Sequence, residues 1–177
     1  NHNGGRIAFG PDGMLYATVG DADDASSAQD FGSRGGKILR VTADGGIPPD
    51  NPFAGSPVYS FGHRNPQGLA WDAGGTLYAS EFGQNTWDEL NVIEAIAERE
   101  GFIDPVQQWA PVDASPSGIA ITSGAIWIAN LRGARLRQVP LKELAASTEY
   151  LVREFGRLRD VVVAPDGALW VLTNNTD

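Results

Sequence analysis

Apolar residues recur along this chain in short bursts broken by Gly, Pro, Asp or Asn, and four segments repeat one plan: an apolar run, a Gly-containing turn, a second apolar run. They are RIAFGPDGMLYATVGD (Arg6 to Asp21), GLAWDAGGTLYASEFG (Gly68 to Gly83), GIAITSGAIWIANLRG (Gly118 to Gly133) and RDVVVAPDGALWVLTN (Arg159 to Asn174). Each half is short and rich in Ile, Val, Leu, Tyr or Trp. The centres carry turn chemistry such as Pro11-Asp12-Gly13 and Pro165-Asp166-Gly167, which predicts β-hairpins. Further apolar runs, Gly36 to Val41 and Ala134 to Val139, fall where a third strand would follow its hairpin. From Ala8 to Ala70 to Ala120 to Val162 the steps are 62, 50 and 42 residues, near the ~40–50 of propeller blades and stretched by insertions in the first two. The expected fold is therefore all-β, a β-propeller, with about four blades in this chain. Core packing is the ordinary role of the GxLY and GxLW aromatics. Helical patterning is confined to two short stretches, Leu90 to Arg99 and Leu141 to Ala146, so a βαβ sheet is not expected.

A chain of 177 residues with 42% hydrophobic content suits one domain, taken here as residues 1–177. Its 13 basic against 22 acidic residues give a net charge of −9, which repels nucleic acid and anionic membrane surfaces alike. With no cysteine, disulfides, zinc thiolates and a Cys nucleophile are excluded. No apolar run approaches the ~18 residues of a membrane span, and Asn1 to Gly5 has none of the features of a signal peptide.

Three polar clusters lie in loops between strands, where a propeller gathers functional groups. The first joins His2-Asn3-Gly4-Gly5-Arg6 to Asp21. A hairpin returns the chain to its starting end, so Asp21 can orient the His2 imidazole as a base. The second is Gly62-His63-Arg64-Asn65-Pro66-Gln67-Gly68, followed after one hairpin by Ser80 to Glu89. Basic and amide groups there suit a polyoxygenated ligand, and carboxylates and carbonyls suit a hard cation such as Ca²⁺. The third is Arg132 together with Arg157 and Arg159. Alternation along a strand puts the last two on one face, where they can grip a carboxylated ligand. Each cluster alone is also ordinary turn chemistry or solvated charge.

Taken in order, HNGGR, FGPDG-LY-T-GD, GKILRV-DG-IP-DNPF, GHRNPQGLAW, SE-G----DELN, SPSGIA and RLRDVV-PDGALWVLT resemble the soluble aldose sugar dehydrogenases and soluble quinoprotein glucose dehydrogenases. The resemblance covers nearly the whole chain. It implies a six-bladed propeller that holds pyrroloquinoline quinone (PQQ) over its central opening and oxidises the anomeric hydroxyl of an aldose to a lactone, with an external electron acceptor and a periplasmic or secreted location. His2 matches the catalytic base and Asp21 the carboxylate behind it. Arg64, Asn65 and Gln67 fall on the loop lining quinone and substrate, Arg64 being counted with the catalytic groups as well. Gly83 and Gln84 match two backbone carbonyls offered to Ca²⁺, and Asp88 and Glu89 match acids near a second, structural calcium. Arg132 stands where some relatives have Lys, and Arg157 with Arg159 match the pair that holds the cofactor carboxylates.

The chain departs from the family pattern in having Gln84 where Pro is usual and in lacking a segment like NYGWP, so a loop near 95–101 is expected to be missing. The family's first blades and its ring-closing strand are also absent, which implies truncation at both ends, with missing blades or a partner chain supplying the rest. Two other functions fit a propeller: a calcium-dependent hydrolase of the lactonase kind, and a non-catalytic binding module. The hydrolase would show acids at several inner-strand ends, where this chain has one His, one Asp and several Arg. The module would need neither HNGGR nor the arginine pair.

Overall fold

In the computed structural model, residues 1–84, 86–95 and 103–175 are described. The first sheet contains β1 (Gly4–Phe9), β2 (Leu15–Val19), β3 (Lys37–Val41) and β4 (Val58–Phe61), paired in that order; a short helix, α1 (Ala25–Gln29), sits between β2 and β3. The second contains β5 (Pro66–Trp71), β6 (Leu77–Glu81), β7 (Asp88–Ile93) and β8 (Gln107–Trp109). The third contains β9 (Pro116–Ile121), β10 (Ala125–Asn130), β11 (Arg135–Pro140) and β12 (Thr148–Tyr150), and the fourth β13 (Leu158–Val163) and β14 (Leu169–Thr173). All pairings are antiparallel.

The first strand of each sheet packs on the first strand of the next, β1 on β5, β5 on β9, β9 on β13. This is the arrangement of propeller blades around an axis. A side chain on Gly118 of β9 would collide with the Asp160 carboxylate of β13, its Cβ lying 1.7 Å from Oδ1, so glycine permits the close approach of neighbouring inner strands. Across the centre, the Arg6 guanidinium of the first sheet meets Asp160 of the fourth at 2.9 Å and donates to the Gln67 carbonyl of the second at 3.0 Å.

The apolar core is distributed between the sheets. Tyr16, Ile38, Leu69 and Leu77 fill the first seam; Tyr78, Leu90, Ile119, Ile126 and Val139 the second; Ala129, Leu136, Leu158 and Val161 the third. Tyr16 and Tyr78 of the GxLY patterns are thus core residues, as expected. Trp170 of GALW is 67% exposed, on an outer flank against which no described sheet packs.

The helical expectations are corrected. Leu90 to Ile93 lie in β7, Leu141 to Ala146 form turns, and residues 96–99 lie outside the described set. Gln107 holds the Leu141 to Ala146 stretch non-helical by donating to the carbonyls of Leu144 and Ala146 at 2.6 and 2.7 Å. The helix that does form spans five residues capped by Asp24, whose side chain accepts from the Ser26 N–H, too few for a periodicity to show.

Every inner strand carries one more residue than its partner near its beginning. Gly4 to Ile7 oppose Val19 to Ala17; Pro66 to Gly68 oppose Glu81 to Ser80; Pro116 to Ile119 oppose Asn130 to Ile128; Leu158 to Asp160 oppose Thr173 to Leu172. These are β-bulges at equivalent places, and bulges re-aim the side chains beside them. All four lie at the end of the sheets where the inner strands begin, the end to which His2, Asp21, Arg64, Gly83, Arg132 and Arg157 also belong.

Candidate active site

The hairpin β1–β2 brings His2 and Asp21 together: His2 Nδ1 lies 2.8 Å from Asp21 Oδ1. A second carboxylate, Asp23 Oδ1, stands 2.9 Å from the same nitrogen. In the neutral imidazole, Nδ1 between two carboxylates is the donor nitrogen, which makes Nε2 the ring's acceptor. Backbone conformation enforces the pairing. His2, Ala22 and Asp23 all have positive φ, at 49°, 56° and 68°, and a side chain on Gly20 would overlap the His2 carbonyl, 1.8 Å from its Cβ position. Asp23 was not singled out from sequence; its Asp-Ala-Asp spacing from Asp21 was the available signal.

The second sheet supplies the opposite wall. Arg64 donates from Nη1 to the Phe82 carbonyl at 3.1 Å, and its own carbonyl accepts the Asp21 N–H at 2.8 Å. Beneath it lies Glu81, 4% exposed, which accepts from the N–H groups of Arg64 and Asn65 and from His63 Nδ1, the latter at 3.0 Å. His63 Nε2 in turn meets Ser60 Oγ at 2.9 Å. Between these walls lies a cavity of about 550 Å³ whose lining includes His2, Asp21, Arg64, Gly83, Gln84 and Glu89. Ala25 and Ala28 of α1 close one side. Lys37, fully buried, anchors that helix by donating to the carbonyls of Ser27, Ala28 and Gly35 at 2.8, 3.0 and 2.7 Å; burial pushes its ammonium pKa down.

The remaining expected residues lie at this end but outside the cavity lining. Asn65 and Gln67 are buried in the seam between the first two sheets, where Asn65 Oδ1 accepts from Gly4 N–H at 3.0 Å and from Gln67 Nε2 at 2.9 Å. Asp88 accepts the N–H groups of Gly83 at 3.2 Å and Ser115 at 2.7 Å, tying the second sheet to the third. Burial pushes the carboxyls of Asp88 and Glu89 above the usual range. The Gln84 carbonyl accepts the N–H groups of Thr86 and Trp87, so the Gly83–Gln84 turn is folded tightly on itself. Arg132 is exposed after β10, and Arg157 is exposed ahead of β13. The bulge at Leu158 to Asp160 interrupts the regular alternation on which a shared face for Arg157 and Arg159 was expected. Among the described residues, three or more His, Asp or Glu side chains nowhere cluster as a metal site, and no helix is long and apolar enough to cross a membrane.

The charge at this end is uneven. Asp21 and Asp23 face His2, and Glu81 faces His63 and two N–H groups. Arg64, Arg132 and Arg159 form no ion pair among the described residues. The acids here are supplied with donors, whereas Arg64 and Arg132 share only the longer-range attraction of the buried Asp88 carboxylate.

Comparison with known proteins bears on the family and the fold. Residues 1–98 and 94–177 match the family model described as Glucose / Sorbosone dehydrogenase. The chain belongs to that family. It superposes on the PQQ-bound aldose sugar dehydrogenase of Streptomyces coelicolor with a TM-score of 0.91 and 55% identity, over 99% of this chain and 57% of that one. Aldose sugar dehydrogenase YliI of Escherichia coli is 30% identical over 217 residues, covering 99% of this chain and 58% of its own. Quinoprotein glucose dehydrogenase B of Acinetobacter calcoaceticus is 39% identical over 115 residues, 52% of this chain and 24% of that protein. The chain thus spans a little over half the length of the aldose sugar dehydrogenases it matches. The two family-model segments meet at residues 94–98, beside the place where a missing loop was expected; residues 96–102 lie outside the described set.

Proposed function

We propose that this chain forms the site of a PQQ-dependent dehydrogenase that oxidises aldose sugars at the anomeric hydroxyl to lactones. The observation that carries this reading is the His2–Asp21 contact at 2.8 Å on the wall of a polar cavity that Arg64 also lines. PQQ, when bound, supplies the acceptor for the hydride that leaves C1. His2 Nε2 takes the hydroxyl proton, and Asp21 with Asp23 holds the opposite nitrogen as donor and compensates the imidazolium that forms. Arg64 lies where it can orient an oxygen of the ligand, and Arg132, Arg157 and Arg159 provide the positive charge that carboxylates of the cofactor require. The carbonyls of Gly83 and Gln84 are the groups that would hold Ca²⁺ as a Lewis acid beside the cofactor. Asp88 and Glu89 would serve a structural calcium, with Asp88 already committed to two N–H groups.

Further blades, from the same protein or a partner chain, would cover the outer flanks where Ile7, Phe9, Trp170 and Leu172 are exposed. An external acceptor would reoxidise the cofactor, and a periplasmic or secreted location follows from the family resemblance. The charge pattern favours this reading over a lactonase-type hydrolase, which needs carboxylates free to ligate a central metal, and over a binding module, which needs no histidine held between carboxylates. The test is titration with PQQ and Ca²⁺ followed by addition of aldose. Saturable binding and sugar-dependent reduction of the quinone are expected. Sugar-lactone hydrolysis dependent on calcium and indifferent to PQQ would overturn the reading.

A further inference from the structure

We infer that Glu81, a residue of the second sheet, is the positioning residue for the His2–Asp21 pair of the first; the inference rests on the reading of His2 as the base. Glu81 ends β6 with its carboxylate turned back under the GHRN loop. One oxygen accepts the N–H groups of Arg64 and Asn65, and the other accepts from His63. A single buried carboxylate thereby fixes three consecutive residues of one loop.

That loop grips the chain on both sides of His2. The Arg64 carbonyl holds the Asp21 N–H at 2.8 Å, and Asn65 Oδ1 holds the Gly4 N–H at 3.0 Å. The Ala22 N–H closes the circuit on the His2 carbonyl at 3.2 Å. His2, Ala22 and Asp23 all occupy left-handed backbone conformations, which persist only where surrounding bonds over-determine them. The bonds from the first sheet to this loop supply that constraint, and the loop is rigid because Glu81 satisfies its N–H groups. Without Glu81, the buried Asn65 N–H and the part-buried Arg64 N–H lose their acceptor. The loop then relaxes, and the imidazole loses the orientation that keeps Nδ1 as donor and Nε2 as acceptor.

The chain contains two histidines, so imidazole ¹⁵N NMR resolves His2 without cofactor or sugar. In the parent, His2 should show the Nδ1–H tautomer. Glu81→Ala should retain the sheet signature in circular dichroism while His2 shifts to a mixed tautomer. Glu81→Gln should restore the parent His2 signature, because its carbonyl oxygen still accepts from Arg64 and Asn65, while His63 switches tautomer to face the amide. A parent-like His2 spectrum in folded Glu81→Ala, or an altered one in folded Glu81→Gln, overturns the inference. If Glu81→Ala does not fold, Glu81→Asp, one methylene shorter, takes its place: an altered His2 tautomer supports the inference and a parent tautomer overturns it. In a turnover assay, kcat should fall about tenfold in Glu81→Ala with the sugar KM nearly unchanged, as expected for a misplaced group. If His2→Ala keeps parental turnover while Glu81→Ala still shifts the His2 spectrum, the base reading fails and the positioning relation stands.

Discussion

The two ends of the blades are built differently. At the far end, β1–β2, β5–β6 and β13–β14 are joined by tight turns in which Asp12, Asp72 and Asp166 accept backbone N–H groups from Met14, Gly74 and Ala168. Every described positive-φ residue there is glycine: Gly13, Gly45, Gly55, Gly75 and Gly167. At the cavity end the positive-φ residues include His2, Ala22, Asp23, Ser115, Ala134, Leu151 and Arg153, and all four inner strands bulge there. A left-handed non-glycine residue costs about 1–2 kcal/mol. The far end is therefore made at low cost from turn residues, whereas the cavity end holds strained backbone in place through bonds between sheets. Strain concentrated at one end is a mark of a site whose side chains must be aimed.

Substitutions that exploit this difference should separate activity from stability. The largest expected effect is at His2: replacement by alanine should lower turnover ~10²–10⁴-fold, the usual loss for a positioned acid–base group, with the melting temperature within a few degrees of the parent. Lys37→Met should cost about 2–4 kcal/mol in chemical denaturation, since three carbonyls lose a charged donor, and should weaken ligand binding by loosening α1. Next come two matched exchanges. Gly13→Ala at the far end, with open space around its Cβ but φ of 77°, should destabilise by about 1 kcal/mol and leave turnover unchanged. Ala22→Gly at the cavity end should stabilise by up to about 1 kcal/mol by relieving the left-handed strain, and slow turnover several-fold by freeing the segment that carries Asp21. Equal effects of the two on activity would erase the contrast between the ends.

The smallest effect concerns pH. Burial raises the Glu89 carboxyl above its ordinary pKa, so its contribution to stability is fully present below the ordinary carboxylate range and is lost as pH rises through the raised value. Glu89→Gln should accordingly melt slightly higher than the parent at neutral pH, and the difference should vanish on acidification. A gain that persists at low pH would mean that Glu89 is not held at a raised pKa.

The hairpins were legible because their information is local: Pro11-Asp12-Gly13 and Pro165-Asp166-Gly167 declare their turns, and the flanking residues are strongly apolar. The outer strands β4, β8 and β12 were not, because segments such as Gln107–Trp109 and Thr148–Tyr150 are three residues long and largely polar. The His2–Asp21 meeting could be read because a hairpin returns its ends together. Asp23 had a local signal, two residues beyond Asp21, that the loop reading passed over; Lys37, His63 and Glu81 could not be read, since their roles depend on burial and on bonds to neighbouring loops and sheets that no local spacing announces. The bulges were equally silent in sequence, and one of them undoes the simple alternation used to pair Arg157 with Arg159.

The most direct test of the account compares the parent with His2→Ala, both loaded with PQQ in the presence of Ca²⁺, by following the absorbance of the bound quinone after a single addition of aldose. The account predicts the same quinone affinity in both proteins, rapid reduction in the parent, and reduction slowed at least ~10²-fold in the variant. Reduction at the parental rate in His2→Ala would contradict it.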